Sequence, residues 1–318
     1  MNFYSPYLHT LRGLNGILSL FLAFQAVRSH AEQSPSSPAP EVKSPPQAIS
    51  SHSPTPEPSP EKLTKREAAR LFQQALDLQQ GVGVAPDPVK ARELYFRAAR
   101  AGETRAMQNL GVMLLAGAGV PAAPAEGYHW IRCGADSGDP KALFSCSLLL
   151  RMGAGTEKDP ALASAMMQRS AGLGYIPAQV SVADDCLSGE NGVPKDPKRA
   201  GELLLLAAKA GHDGAALRVS DLYKNGTGVP KDSDKADEWL ARAARLGNAH
   251  AQFLYAHKLM ASKGPQAAYP WAKLAEDRHY IAVHGIFLES SGLLSPEQLR
   301  QGDKEADAIK AAYPPVSQ

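Results

Sequence analysis

A glycine returns every 36 or 37 residues along most of the chain, and that period constrains the fold more than any other feature. Gly81, Gly117, Gly153, Gly189 and Gly226 stand 36, 36, 36 and 37 residues apart. A second glycine follows each, at Gly83, Gly119, Gly155, Gly192 and Gly228. Three further columns keep step: Gly102, Gly138, Gly174, Gly211 and Gly247; Ala106, Ala142, Ala178, Ala215 and Ala251; and Leu94, Trp130, Met166, Leu203 and Trp239. All share one extra residue in the fourth unit. A period of this length marks a repeat architecture, in which a unit buries its apolar face only against its neighbours.

Within one period the residues read as two helices. Ala106, Leu110, Val112, Met113 and Leu114 recur at helical spacing, and Gly117 then stops the helix, because glycine adopts the left-handed conformation that follows a helix end. Asp-Pro steps such as Asp159-Pro160 and Asp196-Pro197 open the second helix, with proline in its first turn and aspartate as cap. That helix carries Ala236, Trp239, Leu240, Ala243 and Ala244 on one face, and Gly247 ends it. Alanines at contact positions let neighbouring helices approach closely. The expected fold is all-α: a right-handed α-solenoid of stacked antiparallel helix pairs.

The segments Ala106-Met107-Gln108-Asn109-Leu110-Gly111 and Leu222-Tyr223-Lys224-Asn225-Gly226-Thr227-Gly228-Val229-Pro230, the latter followed by Lys235-Ala236-Asp237-Glu238-Trp239, resemble Sel1-like repeats, relatives of the tetratricopeptide repeat. The resemblance spans residues 63–282 as about five full repeats and a shortened sixth. The second repeat departs from it at Pro124 and Glu126-Gly127, and the sixth loses about five loop residues near Ala261 to Pro265. Residues 283–318 are expected to form capping helices and a tail, with Ser295 and Glu297 arranged around Pro296 as a relative of the capping box.

Upstream of the repeats the material changes twice. Residues 1–31 read as a signal peptide: Arg12 supplies positive charge, residues 14–27 form a predominantly apolar run, and Ser29-His30-Ala31 places small residues at the −3 and −1 positions before a cleavage between Ala31 and Glu32. The apolar run is short for a membrane span, so the mature chain is expected to lack one, in the periplasm or outside the cell; retention as an anchor is the alternative. Residues 32–62 hold nine prolines and eight serines with almost nothing apolar. Such a segment reads as a disordered spacer.

The charge balance of 34 Lys+Arg against 32 Asp+Glu leaves a net charge of +2, without the basic excess that nucleic acid demands. No nucleotide-binding loop, zinc-protease helix, nucleophile elbow or Cys-x-x-Cys pair occurs. A Ser-x-x-Lys at Ser59 to Lys62 lies in the spacer, where nothing can orient a base. The histidines show no metal-ligand spacing, and neither a metal nor a cofactor is expected. Cys133, Cys146 and Cys186 make an odd count in an oxidising compartment. Cys133 and Cys146 stand about equally far from the Gly138 turn and could form a disulfide, or each could pack as a small hydrophobe.

Aligned on the alanine column, the sixth position onward reads Leu76, Val112, Leu148, Asp184, Asp221 and His257. By resemblance to tetratricopeptide repeats this position faces a concave groove, apolar in its N-terminal half and charged in its C-terminal half, with Arg218 and Lys224 beside the acids. The resemblance implies a non-catalytic scaffold that binds another protein or a peptide segment there; a solvated helix face is the plainer reading. Some secreted Sel1-like proteins with a regular disulfide in each repeat are penicillin-binding hydrolases with β-lactamase activity. This chain lacks their repeating cysteine pair, and such an enzyme is the alternative.

Overall fold

The computed structural model describes residues 63–118 and 121–313. The signal and spacer segments, including Ala31 and Glu32, lie outside the described residues. Fourteen α-helices and no strand occur among the described residues. They divide into two compact units, the first ending at Asp159 and the second beginning at Pro160.

In the first unit α1 (Lys65–Gln80), α2 (Pro88–Arg100), α3 (Thr104–Ala116), α4 (Pro124–Asp136) and α5 (Pro140–Met152) each pack on the next. In the second, α6 (Pro160–Gly172), α7 (Ile176–Ser188), α8 (Pro197–Lys209), α9 (Asp213–Asn225), α10 (Ser233–Arg245), α11 (Ala249–Lys263) and α12 (Pro265–Glu276) do the same. A 3-10 turn (Ile281–Val283), α13 (His284–Gly292) and α14 (Pro296–Ala312) then pack on α12. Stacked consecutive helix pairs are therefore the architecture, as the period requires.

The repeated glycines end the first helix of each pair in the left-handed region, with φ from 66° at Gly117 to 79° at Gly189. Each glycine N–H donates to the carbonyl four residues back, and in four repeats the following N–H donates to that same carbonyl. Both bonds converge on one of the carbonyls that a helix end leaves without an intrahelical partner. The loop then closes in the same way in the five full repeats, the N–H of Asp87, Ala123, Asp159, Asp196 and Asp232 returning to Leu78, Leu114, Leu150, Cys186 and Tyr223. Asp87, Asp196 and Asp232 also cap the second helix through their side chains, as expected, whereas Ala123 in the divergent second repeat makes no side-chain cap.

The second loop glycine has a separate reason. A Cβ at Gly155 would collide with the Pro124 carbonyl, and one at Gly228 with the Pro197 carbonyl, so each loop lies against the start of the preceding repeat's second helix. Gly127 is explained in the same way: its added Cβ would lie 2.8 Å from the Gly111 carbonyl oxygen, and one on Gly111 would lie 2.5 Å from Ile131 Cγ1. Elsewhere the equivalent contact is made by Ser220, whose Oγ donates to the Ala236 carbonyl at 2.7 Å.

Alanines dominate the buried set, joined by Tyr95, Leu110, Met113, Ile131, Leu149, Met167, Leu204 and Leu274. Tyr95 is fully buried, and its hydroxyl donates to Gln79 Oε1 at 2.8 Å and accepts from Asn109 Nδ2 at 3.1 Å, so the polar tip is satisfied. The shortened sixth repeat has no loop. Gly264 ends α11 and precedes Pro265 at the start of α12, and His279, at φ 57°, takes the left-handed place that glycine holds in the five repeats before it. At α14 Ser295 caps the helix in a capping box completed by Gln298 rather than Glu297, because the third helical residue is the one that reaches back.

A charged face on the first helices of the second unit

Two of the three first helices of the second unit are placed by a side-chain entry cap. His212 Nδ1 accepts the Ala215 N–H at 2.9 Å and Asn248 Oδ1 the Ala251 N–H at 2.9 Å, while Tyr175 makes no side-chain cap. Asn248 also donates to Asp213 Oδ2 at 3.1 Å, tying the start of α11 to that of α9. Burial lowers the His212 pKa, opposed by Asp213 and reinforced by Arg218. A neutral imidazole is what the cap requires, since a protonated ring has no lone pair to accept with.

Asp184 on α7, Asp221 on α9 and His257 on α11 are all exposed, as the common repeat position requires. Arg218 on α9 pairs with Asp184, bridging two successive first helices. Lys224, one turn beyond Asp221, is exposed. Asp221 and His257 form no ion pair with any described residue. The neighbouring Lys258 is engaged by Asp237 of α10. Half-buried Val180, Leu217, Phe253 and Leu254 lie on the same helices. The structure thus joins Asp184 to Arg218 and leaves Asp221, Lys224 and His257 open on the same face.

The corresponding residues of the first unit, Leu76, Val112 and Leu148, are half-buried. The sequence reading missed two features of the second unit: the imidazole cap of His212 and the Asn248–Asp213 bond. The one signal for them is that His212 and Asn248 occupy the entry position that Asp139 holds in the first unit, where its carboxylate accepts the Ala142 N–H at 2.7 Å.

All three cysteines are free thiols, so the Cys133–Cys146 disulfide is not formed. Cys133 is half-buried and lies along its own helix, with Sγ 3.7 Å from His129 Nε2. Cys146 is fully buried, and burial pushes its thiol up to about 11, partly offset by Arg132 and Tyr128. A thiol so placed packs as an apolar side chain and is a poor nucleophile. Among the described residues no group of His, Cys, Asp and Glu is placed to hold a metal ion, and no helix is long and apolar enough to cross a membrane.

The profile of the Sel1 repeat family matches five successive segments: residues 78–103, 104–139, 140–175, 176–212 and 214–248. No curated protein matches the chain. Among solved structures it is similar to c5321, a protective antigen of uropathogenic Escherichia coli strains displaying an SLR fold, at 23% identity and a TM-score of 0.62. That match covers 78% of this chain but only 56% of the antigen. A Sel1 repeat protein from Oxalobacter formigenes is similar at 28% identity and a TM-score of 0.55, over 66% of this chain and 86% of that one. With five consecutive repeats covering more than half of its length, and with the helix pairs, stops and loop closures that the repeat demands, the chain belongs to the Sel1 repeat family.

Proposed function

We propose that this Sel1 repeat scaffold acts without catalysis, outside the cytoplasm, by holding a segment of another protein along the face formed by α7, α9 and α11. Asp221 and His257 are the contacts, with Asp184, Arg218 and Lys224 beside them. The observation that carries this reading is the unequal treatment of two carboxylates at one repeat position. Asp184 is satisfied by Arg218, whereas Asp221 is exposed, forms no ion pair with any described residue and stands next to half-buried apolar side chains. An open carboxylate and an imidazole beside apolar surface suit a peptide that presents a basic and an apolar side chain. Stacked helical repeats offer such extended surfaces generally.

The test is quantitative recovery of the partner from envelope extract by the full chain. The combined Asp221→Ala and His257→Ala substitutions should abolish recovery, and combined Glu202→Ala and Glu238→Ala, on exposed positions of α8 and α10, should leave it intact. Equal recovery by both variants would refute the assignment of the face. Turnover of a chromogenic cephalosporin by the purified protein would overturn the non-catalytic reading. Export predicts a mature N-terminus at Glu32; an intact N-terminus in the cytoplasmic fraction contradicts it.

A further inference from the structure

We propose that Asn191 is a site of spontaneous deamidation and that its conversion releases the loop between α7 and α8. Two Asn-Gly steps lie among the described residues, Asn191-Gly192 and Asn225-Gly226, and a third at Asn15 lies outside them. Such a step reacts when the glycine backbone nitrogen loses its proton and attacks the asparagine Cγ. The N–Cγ bond forms, the Cγ–Nδ2 bond breaks and Nδ2 leaves as ammonia. Water then opens the cyclic imide at either carbonyl, giving aspartate or isoaspartate, so that the net change is one water consumed and one ammonia released.

The two steps differ in what the attack needs. At Asn225 the nucleophile is occupied: the Gly226 N–H donates to the Leu222 carbonyl at 2.8 Å, and Asn225 is the last residue of α9. At Asn191 the Gly192 N–H makes no hydrogen bond to any described residue, and a Cβ on Gly192 would meet nothing within 4 Å. Asn191 is exposed and stands at φ 54°, outside any helix. The one-residue insertion is the cause. It keeps the closing bond from Asp196 N–H to the Cys186 carbonyl but lifts Gly192 away from the helix start against which Gly155 and Gly228 lie in their own repeats.

The product cannot keep the loop as it is. Asn191 Nδ2 donates at 2.6 Å to Oδ1 of Asp185, a carboxylate that is 5% exposed. An aspartate at 191 has acceptors only and would set a second negative charge against the buried one. The loop then loses this anchor, and with it the seat of the buried Val193.

The experiment ages the full chain in mildly alkaline buffer made with heavy-oxygen water, and maps peptides by mass spectrometry alongside hydrogen exchange. Asn191 should convert several-fold faster than Asn225, with heavy oxygen incorporated at 191. Amides of residues 190–193 should lose protection only in the converted fraction. Asn191→Asp should show the loosened loop from the start, and Gly192→Ala should slow conversion. Equal or faster conversion at Asn225, no conversion at either, or conversion and Asn191→Asp both leaving the loop protected would overturn the proposal.

Discussion

Leu76, Val112 and Leu148 in the first unit and Asp184, Asp221 and His257 in the second occupy one repeat position on one kind of helix, yet the first three are half-buried and apolar and the last three exposed and polar. The surrounding frame does not change with them. In both units glycine ends the first helix in the left-handed region and a fixed hydrogen bond closes the loop. The difference teaches that the frame tolerates either chemistry at this position. Residues there are free to answer to something other than folding, and that freedom is what makes the charged face of the second unit a place to look for a partner.

The strongest way to break the comparison attacks the frame in each unit. Gly155→Ala and Gly228→Ala combine a left-handed φ, costly for alanine, with collision against the Pro124 and Pro197 carbonyls, and each should lower stability by about 3 kcal/mol in urea unfolding. Gly192→Ala, with the same sign of φ but open space, should cost about 1 kcal/mol. If all three cost the same, contact between a loop and the preceding repeat is not what those glycines serve. A smaller effect comes from exchanging the surface chemistry itself. Leu148→Asp should destabilise by about 1.5 kcal/mol because half-buried apolar surface is lost, whereas Asp221→Leu should stay within about 0.5 kcal/mol.

The entry caps sharpen the comparison through pH. Asp139 caps α5 with a carboxylate and His212 caps α9 with a neutral imidazole. Burial lowers the His212 pKa from the ordinary histidine value of 6.5, so the unfolded chain takes up the proton first. The stability contributed by this cap is therefore fully present above that value and is lost as the pH falls from it toward the folded pKa. His212→Asn should keep the cap, worth about 1 kcal/mol, and flatten that part of the stability profile between pH 7 and pH 5. An unchanged slope would show that His212 does not titrate on unfolding. The smallest effect concerns the left-handed His279: His279→Gly should raise stability by about 0.5 kcal/mol, the relief of a non-glycine residue at positive φ less the entropy of glycine, read as a higher melting temperature.

Much of the fold was legible in the residues themselves because repetition supplies its own control. Five glycines in one column announce a backbone requirement that a single glycine would not, and the alanine and Asp-Pro columns announce close helix packing and helix starts. The sixth repeat was less legible, since His279 performs a glycine's task without being one and Gly264 replaces a whole loop. The face of Asp184, Asp221 and His257 was legible as a column, but its internal pairing was not. That Arg218 reaches Asp184 from the next first helix, while Asp221 forms no ion pair with any described residue, depends on side chains 34 residues apart, which no local pattern relates.

By itself the sequence determined the period, the helix pairs, their stops and the divergence of the second, fourth and sixth repeats, because each of these follows from backbone conformation and local hydrophobic pattern. Only the tertiary structure decided why Gly155 and Gly228 must lack a side chain while Gly192 need not, why Gly127 faces Gly111, and that Cys133 and Cys146 stay apart as free thiols. Those outcomes depend on which atoms of one repeat approach another within a few ångströms, and no local pattern in the chain records that distance.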